Sequence, residues 1–132
     1  PGPVVVVTTP EPTAIVDAYL IVKILSHREP GKRLAILVNN VSGPDEAQCT
    51  FRQIDIAAPR FLSKPLELLG FVEKDKNVLE AVRQQGAIVS LYPQSIASKC
   101  IKVVARKLDR QCTAMKSEEN AGLSWSALFE PE

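Results

Sequence analysis

The chain has 132 residues, 45% hydrophobic and 23% charged, with a net charge of +1. This is the composition of one globular domain with a moderate core, and so small a net charge excludes a global electrostatic pull toward nucleic acid or membrane. Cys49, Cys100 and Cys112 form no CxxC pair and His27 is the sole histidine, which argues against zinc and for reduced thiols in a cytoplasmic protein.

Val4 to Thr8 is a β-branched run without alternation, the pattern of a strand covered on both faces. Thr9-Pro10-Glu11-Pro12-Thr13 starts a helix: Thr9 can cap, proline fits the first turn, and Glu11 meets the positive end of the dipole. The helix should run to about Ser26. Ile15, Ala18, Val22 and Leu25 give it one apolar face, which Ile21 and Ile24 widen enough to suggest deep burial. After a turn at Arg28–Lys32, Arg33 to Asn39 reads as a second buried strand. Ser42-Gly43-Pro44-Asp45 resembles a capping box, and Phe51, Ile54, Ala58 and Phe61 keep helical spacing after it, with a kink or break expected before Pro59.

Leu66 to Val72 is a third strand. Asp75 caps a helix through Gln84 with Val78, Leu79 and Val82 inward, and Gln85-Gly86 ends it. Ala87 to Tyr92 reads as an extended link. Pro93-Gln94-Ser95 opens a last helix to about Arg110, with Ile96, Cys100, Val103, Val104 and Leu108 inside. The order predicts an α/β fold, a partial parallel sheet of about three strands flanked by about four helices. Residues 1–112 form the folded unit; 113–132 read as a linker and an apolar, acidic tail containing Leu123, Trp125, Leu128 and Phe129. No stretch reads as a signal peptide or a spanning helix.

Ligands in open α/β sheets gather beyond the carboxyl ends of the strands, which here means Thr8–Glu11, Asn39–Gly43 and Val72–Asp75. Asn39 offers a carbonyl and an amide, as reading a purine edge requires, or it satisfies turn backbone. Asp17, in an otherwise apolar helix, calls for a salt-bridge partner or a switch contact. Glu11 either orients a partner or answers the helix dipole. Lys99, Lys102, Arg106 and Arg110 share one helix side, either a solvated face or a surface for phosphates, nucleic acid or anionic lipid. Gly31-Lys32 does not complete a phosphate loop, and neither a nucleophile triad nor a metal motif is present, so no catalytic residue is assigned.

Thr8 to Tyr19, Leu37 to Val41, Leu69 to Val72 with Asp75, and Leu91-Tyr92-Pro93-Gln94-Ser95 together resemble the C-terminal half of MinD/ParA-like ATPases, nearest to the FlhG/FleN flagellar number regulators. The resemblance covers about residues 4–110. It implies that Asn39 recognises adenine and that Val72, Glu73 and Asp75 line the base, with Glu11 and Asp17 as partner or switch contacts. Glu73 replaces the proline usual in the family. The resemblance also implies that the phosphate-loop lysines, the switch aspartates and the Mg-binding machinery lie upstream of Val4. On that expectation the chain binds ATP or ADP weakly, hydrolyses nothing alone, and pairs with the missing N-terminal half or a second copy. Flagellar or cell-pole proteins would be its partners, in the cytoplasm or at the membrane periphery. The competing expectation is an interaction module without nucleotide chemistry.

Overall fold

A computed structural model of the chain describes residues 2–58 and 62–120. Three strands, β1 (Val4–Thr8), β2 (Leu34–Val41) and β3 (Glu67–Glu73), form a parallel sheet in the order β1-β2-β3. Helix α1 (Pro12–Arg28) connects β1 to β2 and α2 (Pro44–Ala57) connects β2 to β3. Then α3 (Lys76–Arg83), the one-turn α4 (Ile88–Leu91) and α5 (Ile96–Asn120) follow. The α/β class and the parallel sheet are as the sequence predicts.

The two faces of β2 are sorted by side-chain alternation. Leu34, Ile36 and Val38 enter the main core with Ala18 and Val22 of α1 and Ala47, Phe51 and Ile54 of α2. Ala35 and Leu37 face the other way, toward Leu69, Val104 and Leu108 beneath α5. Helix α5 lies against β3, and Gly70 makes this possible: a Cβ there would stand 2.8 Å from Val104 Cγ2. At the foot of the sheet Arg33 Nη2 donates to both carboxylate oxygens of Glu67, at 2.8 and 2.9 Å, tying the start of β2 to the start of β3.

Several packing expectations fail because the described elements leave faces of the sheet and of the helices uncovered. Val7 is 58% exposed because α5 sits over β3 and leaves the end of β1 bare on that face. Ala18 and Val22 of α1 are buried, but Ile21 and Ile24 are exposed, since no described element covers that side of α1. Val78, Leu79 and Val82 are exposed too; α3 sits past the strand ends beside α4 and buries only Ala81. Of the predicted α5 face, Cys100 and Val104 are buried while Ile96 and Val103 remain open.

Local starts and stops also differ in detail. Ser42 and Asp45 do not form a capping box: Gly43 occupies the cap without a side-chain bond, and Glu46 Oε1 accepts from Ser42 N at 3.0 Å. The carboxylate that reaches back lies one residue later than predicted. Ala87–Tyr92 is not extended; it contains α4, whose Ile88 carbonyl accepts from Tyr92 N and from the Ser98 hydroxyl. Helix α3 ends in a Schellman pair, Gly86 N to Ala81 O and Gln85 N to Val82 O, with Gln85 at φ 55°. Helix α5 runs ten residues past Arg110. Helix α2 ends at Ala57, where the break was expected; Pro59, Phe61 and the Leu123–Phe129 segment lie outside the described residues.

Two isoleucines in α2 test the core assignment. Ile54 is fully buried and Ile56 is 73% exposed. Ile54→Ala is expected to cost about 2–5 kcal/mol in denaturant unfolding, and Ile56→Ala to stay within about 0.5 kcal/mol.

Candidate functional site

The carboxyl ends of the three strands form a crest from Thr8–Glu11 through Asn39–Val41 to Glu73–Asp75. Its centre is a bulge. Asn39 pairs with Val72 but Val41 pairs with Glu73, so β2 spends an extra residue, Asn40, where β3 spends none. Asn40 adopts φ 60°, a left-handed conformation that asparagine tolerates better than most residues. Lys74 N then closes the ladder onto Val41 O at 2.8 Å.

Alternation places Asn39 on the α5 side of the sheet, with Ala35 and Leu37 below it. The residue is exposed, and its side-chain amide makes no hydrogen bond to any described residue. The backbone-satisfying role open to a strand-end asparagine is therefore not the one it plays. Its neighbour Val72 is buried against Ala97 and Cys100, so the pair presents an amide above an apolar floor.

The Val72–Asp75 loop is held from both directions by one side chain. Asp75 Oδ1 accepts from Asn77 N at 2.9 Å, capping α3, and Oδ2 accepts from Ala97 N at 3.0 Å, in the first turn of α5. The predicted cap is present, and it carries a second helix that the sequence did not reveal. These bonds, first from Ala97 and then from Asn77, hold the Asp75 carboxyl below the ordinary aspartate range. The same carboxylate has both oxygens engaged, so its contribution to the crest is to fix Val72 and Glu73 in place.

Ser98 is the residue that sequence reasoning missed. Fully buried, its hydroxyl lies 2.7 Å from Tyr92 O, 3.1 Å from Ile88 O and 3.1 Å from Ser95 Oγ, binding α4 to the start of α5. A serine at an apolar-face position of a helix, just after Tyr-Pro-Gln-Ser, was the available signal. Tyr92 in turn lies with its hydroxyl 2.8 Å from Gln84 Nε2.

The other predicted contacts stand apart. Glu11 occupies the N-cap of α1 without a side-chain cap bond, and Thr9 Oγ1 accepts from its backbone N–H at 3.4 Å. Asp17 is exposed and forms no ion pair with a described residue, which overturns the expectation of a buried, salt-bridged carboxylate. It borders a shallow depression with Pro12, Thr13 and Val16. In the basic stripe Lys102 Nζ donates to Pro93 O at 3.0 Å, leaving Lys99, Arg106 and Arg110 exposed. Among the described residues there is no cluster of metal-ligating side chains and no helix long and apolar enough to cross a membrane.

No family model matches the chain. Two curated proteins do. The antiactivator FleN of Pseudomonas aeruginosa is 35% identical over 106 residues, which is 80% of this chain and 38% of FleN. The flagellum site-determining protein YlxH of Helicobacter pylori is 32% identical over 103 residues, 77% of this chain and 34% of that protein. The chain thus spans little more than a third of either relative. These matches agree with the resemblance carried by the stretches between Thr8 and Ser95.

Asp75 gives the pH test. Its folded carboxyl titrates below its unfolded value, so the stability it contributes is complete above the unfolded value and is lost as pH falls through the folded one. Asp75→Asn is expected to lower Tm at neutral pH and to flatten the acid limb of a Tm-against-pH curve; thermal melts by circular dichroism at a series of pH values measure both.

Proposed function

We propose, from the premise that this chain is a relative of the FlhG/FleN flagellar regulators, that it forms the base-recognising side of an adenine-nucleotide site in a MinD-like ATPase. That whole protein would govern flagellar number or placement. The observation that carries the reading is the unbonded Asn39 amide at the end of β2, beside buried Val72 and a loop braced by Asp75.

The residues fit the group. An asparagine side chain can accept from the exocyclic amine of adenine and donate to a ring nitrogen, whereas guanine carries an accepting carbonyl where adenine carries that amine. Val72 offers apolar contact to the ring, and the backbone of Glu73 and Lys74 closes the loop beside it. Nucleotide binding supplies a charged triphosphate to the rest of the protein; nothing in residues 1–132 has the glycine-lysine loop that cradles phosphates. ATP hydrolysis is accordingly assigned to residues outside this sequence, and so is any magnesium ion.

A second reading, an interaction surface, is favoured by the outer face of α1. Val16, Leu20, Ile21 and Ile24 are all exposed there, more apolar surface than a solvated helix carries. Partners in the flagellar or polar machinery would be expected to dock on such a stripe. It is compatible with the nucleotide reading, because α1 and the Asn39 crest are different surfaces.

Equilibrium titration with a fluorescent adenosine nucleotide tests the main reading. Binding is expected to be weak, indifferent to magnesium and stronger for adenine than for guanine. Asn39→Ala should weaken adenine binding roughly 3- to 10-fold, the worth of about one net hydrogen bond, and erase the preference. Tight, magnesium-dependent ATP binding, or an unchanged preference in the variant, would contradict it.

A further inference from the structure

Helix α5 runs antiparallel to β3: Ala97 is bonded to Asp75, Val104 lies against Gly70, and Lys107 Nζ donates to Leu68 O. Between the later half of β3 and the first turns of α5 lies an apolar cavity of about 250 Å³. Gly70 and Phe71 bound it on the strand side, and Ile96, Cys100 and Val103 on the helix side. Ile96 and Val103 remain 44% and 58% exposed at its mouth. An apolar cavity of about 150 Å³ is enough to hold benzene. This one has room for a single large side chain.

The same flank of α5 is basic. Ile96, Lys99, Val103, Arg106 and Arg110 recur at intervals of three and four residues, so they line one side of the helix. Two neighbouring lysines are already engaged, Lys102 by Pro93 O and Lys107 by Leu68 O. Lys99, Arg106 and Arg110 are exposed and join no ion pair with a described residue. Between Ile96 and Arg110 the sole acid is Asp109, and Glu73 is the one carboxylate bordering the cavity. At about 1.5 Å per residue, Lys99 stands roughly 6 Å along the axis before Val103, and Arg106 roughly 4.5 Å beyond it. The mouth of the cavity therefore has an unpaired cation on either side.

We propose that this flank is a docking site for an acidic segment of a partner protein. The segment seats one aromatic side chain between β3 and α5 and sets carboxylates against Lys99 and Arg106. In such an arrangement the buried anchor supplies most of the affinity, and the rim charges select the partner and speed the encounter. A nucleic-acid backbone would satisfy the cations and leave the cavity empty. The site involves neither Asn39 nor Asp75 and lies away from the outer face of α1, so it does not depend on the nucleotide reading.

Two-dimensional ¹H–¹⁵N spectra of the 132-residue chain, recorded while the blocked peptide acetyl-Asp-Glu-Phe-Asp-Glu-amide is added, test the site. The backbone amides of Gly70, Ile96, Cys100 and Val103 are expected to shift together and to saturate. Replacing the peptide's phenylalanine by alanine should weaken binding about tenfold or more, a comparison that leaves the protein unaltered. Lys99→Glu combined with Arg106→Glu, both at exposed positions, should weaken it several-fold and remove its salt dependence, with far-UV circular dichroism unchanged. The basic peptide acetyl-Lys-Lys-Phe-Lys-Lys-amide should bind the parent chain more weakly than the acidic one. Absence of shifts at millimolar acidic peptide overturns the proposal, as does equal binding of the phenylalanine and alanine peptides or of the acidic and basic ones. Shifts centred on Asn39–Val41 instead of α5 overturn it too.

Discussion

One carboxylate holds the functional end of this domain together. Asp75 sits where β3 has just ended, and its two oxygens start two helices, α3 through Asn77 N and α5 through Ala97 N. Bonds of this kind are strengthened by the charge on the acceptor and by the positive ends of the helices. Because Ala97 is also packed against Val72, the bond fixes β3, its exit loop and the start of α5 as one body. Register carries the constraint onward: Val72 is paired with Asn39, and Lys74 N with Val41 O. The backbone position of Asn39 is thus set through a strand whose exit loop Asp75 anchors.

Against that rigid end, the rest of the domain is unevenly covered. The α1 and α2 side is a full layer, with Val22, Ile36, Val38 and Ile54 completely buried. The opposite side has α5 over β3 and nothing described over the end of β1. Valine at position 7 is left in solvent as a result, while Val16, Leu20 and the isoleucines at 21 and 24 are exposed on the outer face of α1, which no described element covers. An open edge and this much exposed apolar surface are features that folded proteins ordinarily cover with more chain or a partner. The relatives are longer than this chain by more than a factor of two in each case, which is compatible with such a cover.

Most of the fold was legible in the sequence because its signals are local and strong. The unbroken valines, the Leu34–Val38 run and the proline at the start of α1 each specify an element with little help from neighbours. The Asp75 cap was legible for the same reason. What the sequence hid depends on tertiary placement. Val78, Leu79 and Val82 have the spacing of a buried face, but α3 stands beyond the sheet, so periodicity had no surface to meet. Asp17 looked buried because its neighbours are apolar, yet those neighbours are themselves exposed. Ala87–Tyr92 is rich in strand formers and still makes a helical turn, whose Ile88 carbonyl accepts from Tyr92 N and which the Ser98 hydroxyl, 2.7 Å from Tyr92 O, holds to the start of α5. At the crest, the asparagine at position 39 was read as the end of its strand, whereas β2 continues through the bulge at Asn40 to Val41, which only the pairing with β3 reveals.

The chemistry proposed for this domain is therefore recognition without catalysis, and its centre is the Asn39 amide. Two-dimensional ¹H–¹⁵N spectra recorded while adenosine monophosphate is added, with guanosine monophosphate as the control, address that centre directly. The account predicts that the Asn39 side-chain amide and the backbone amides of Asn40 and Val72–Asp75 move with adenosine monophosphate and stay still with guanosine monophosphate. Shifts confined to Lys99, Arg106 and Arg110, or an Asn39 amide that does not move, would contradict it.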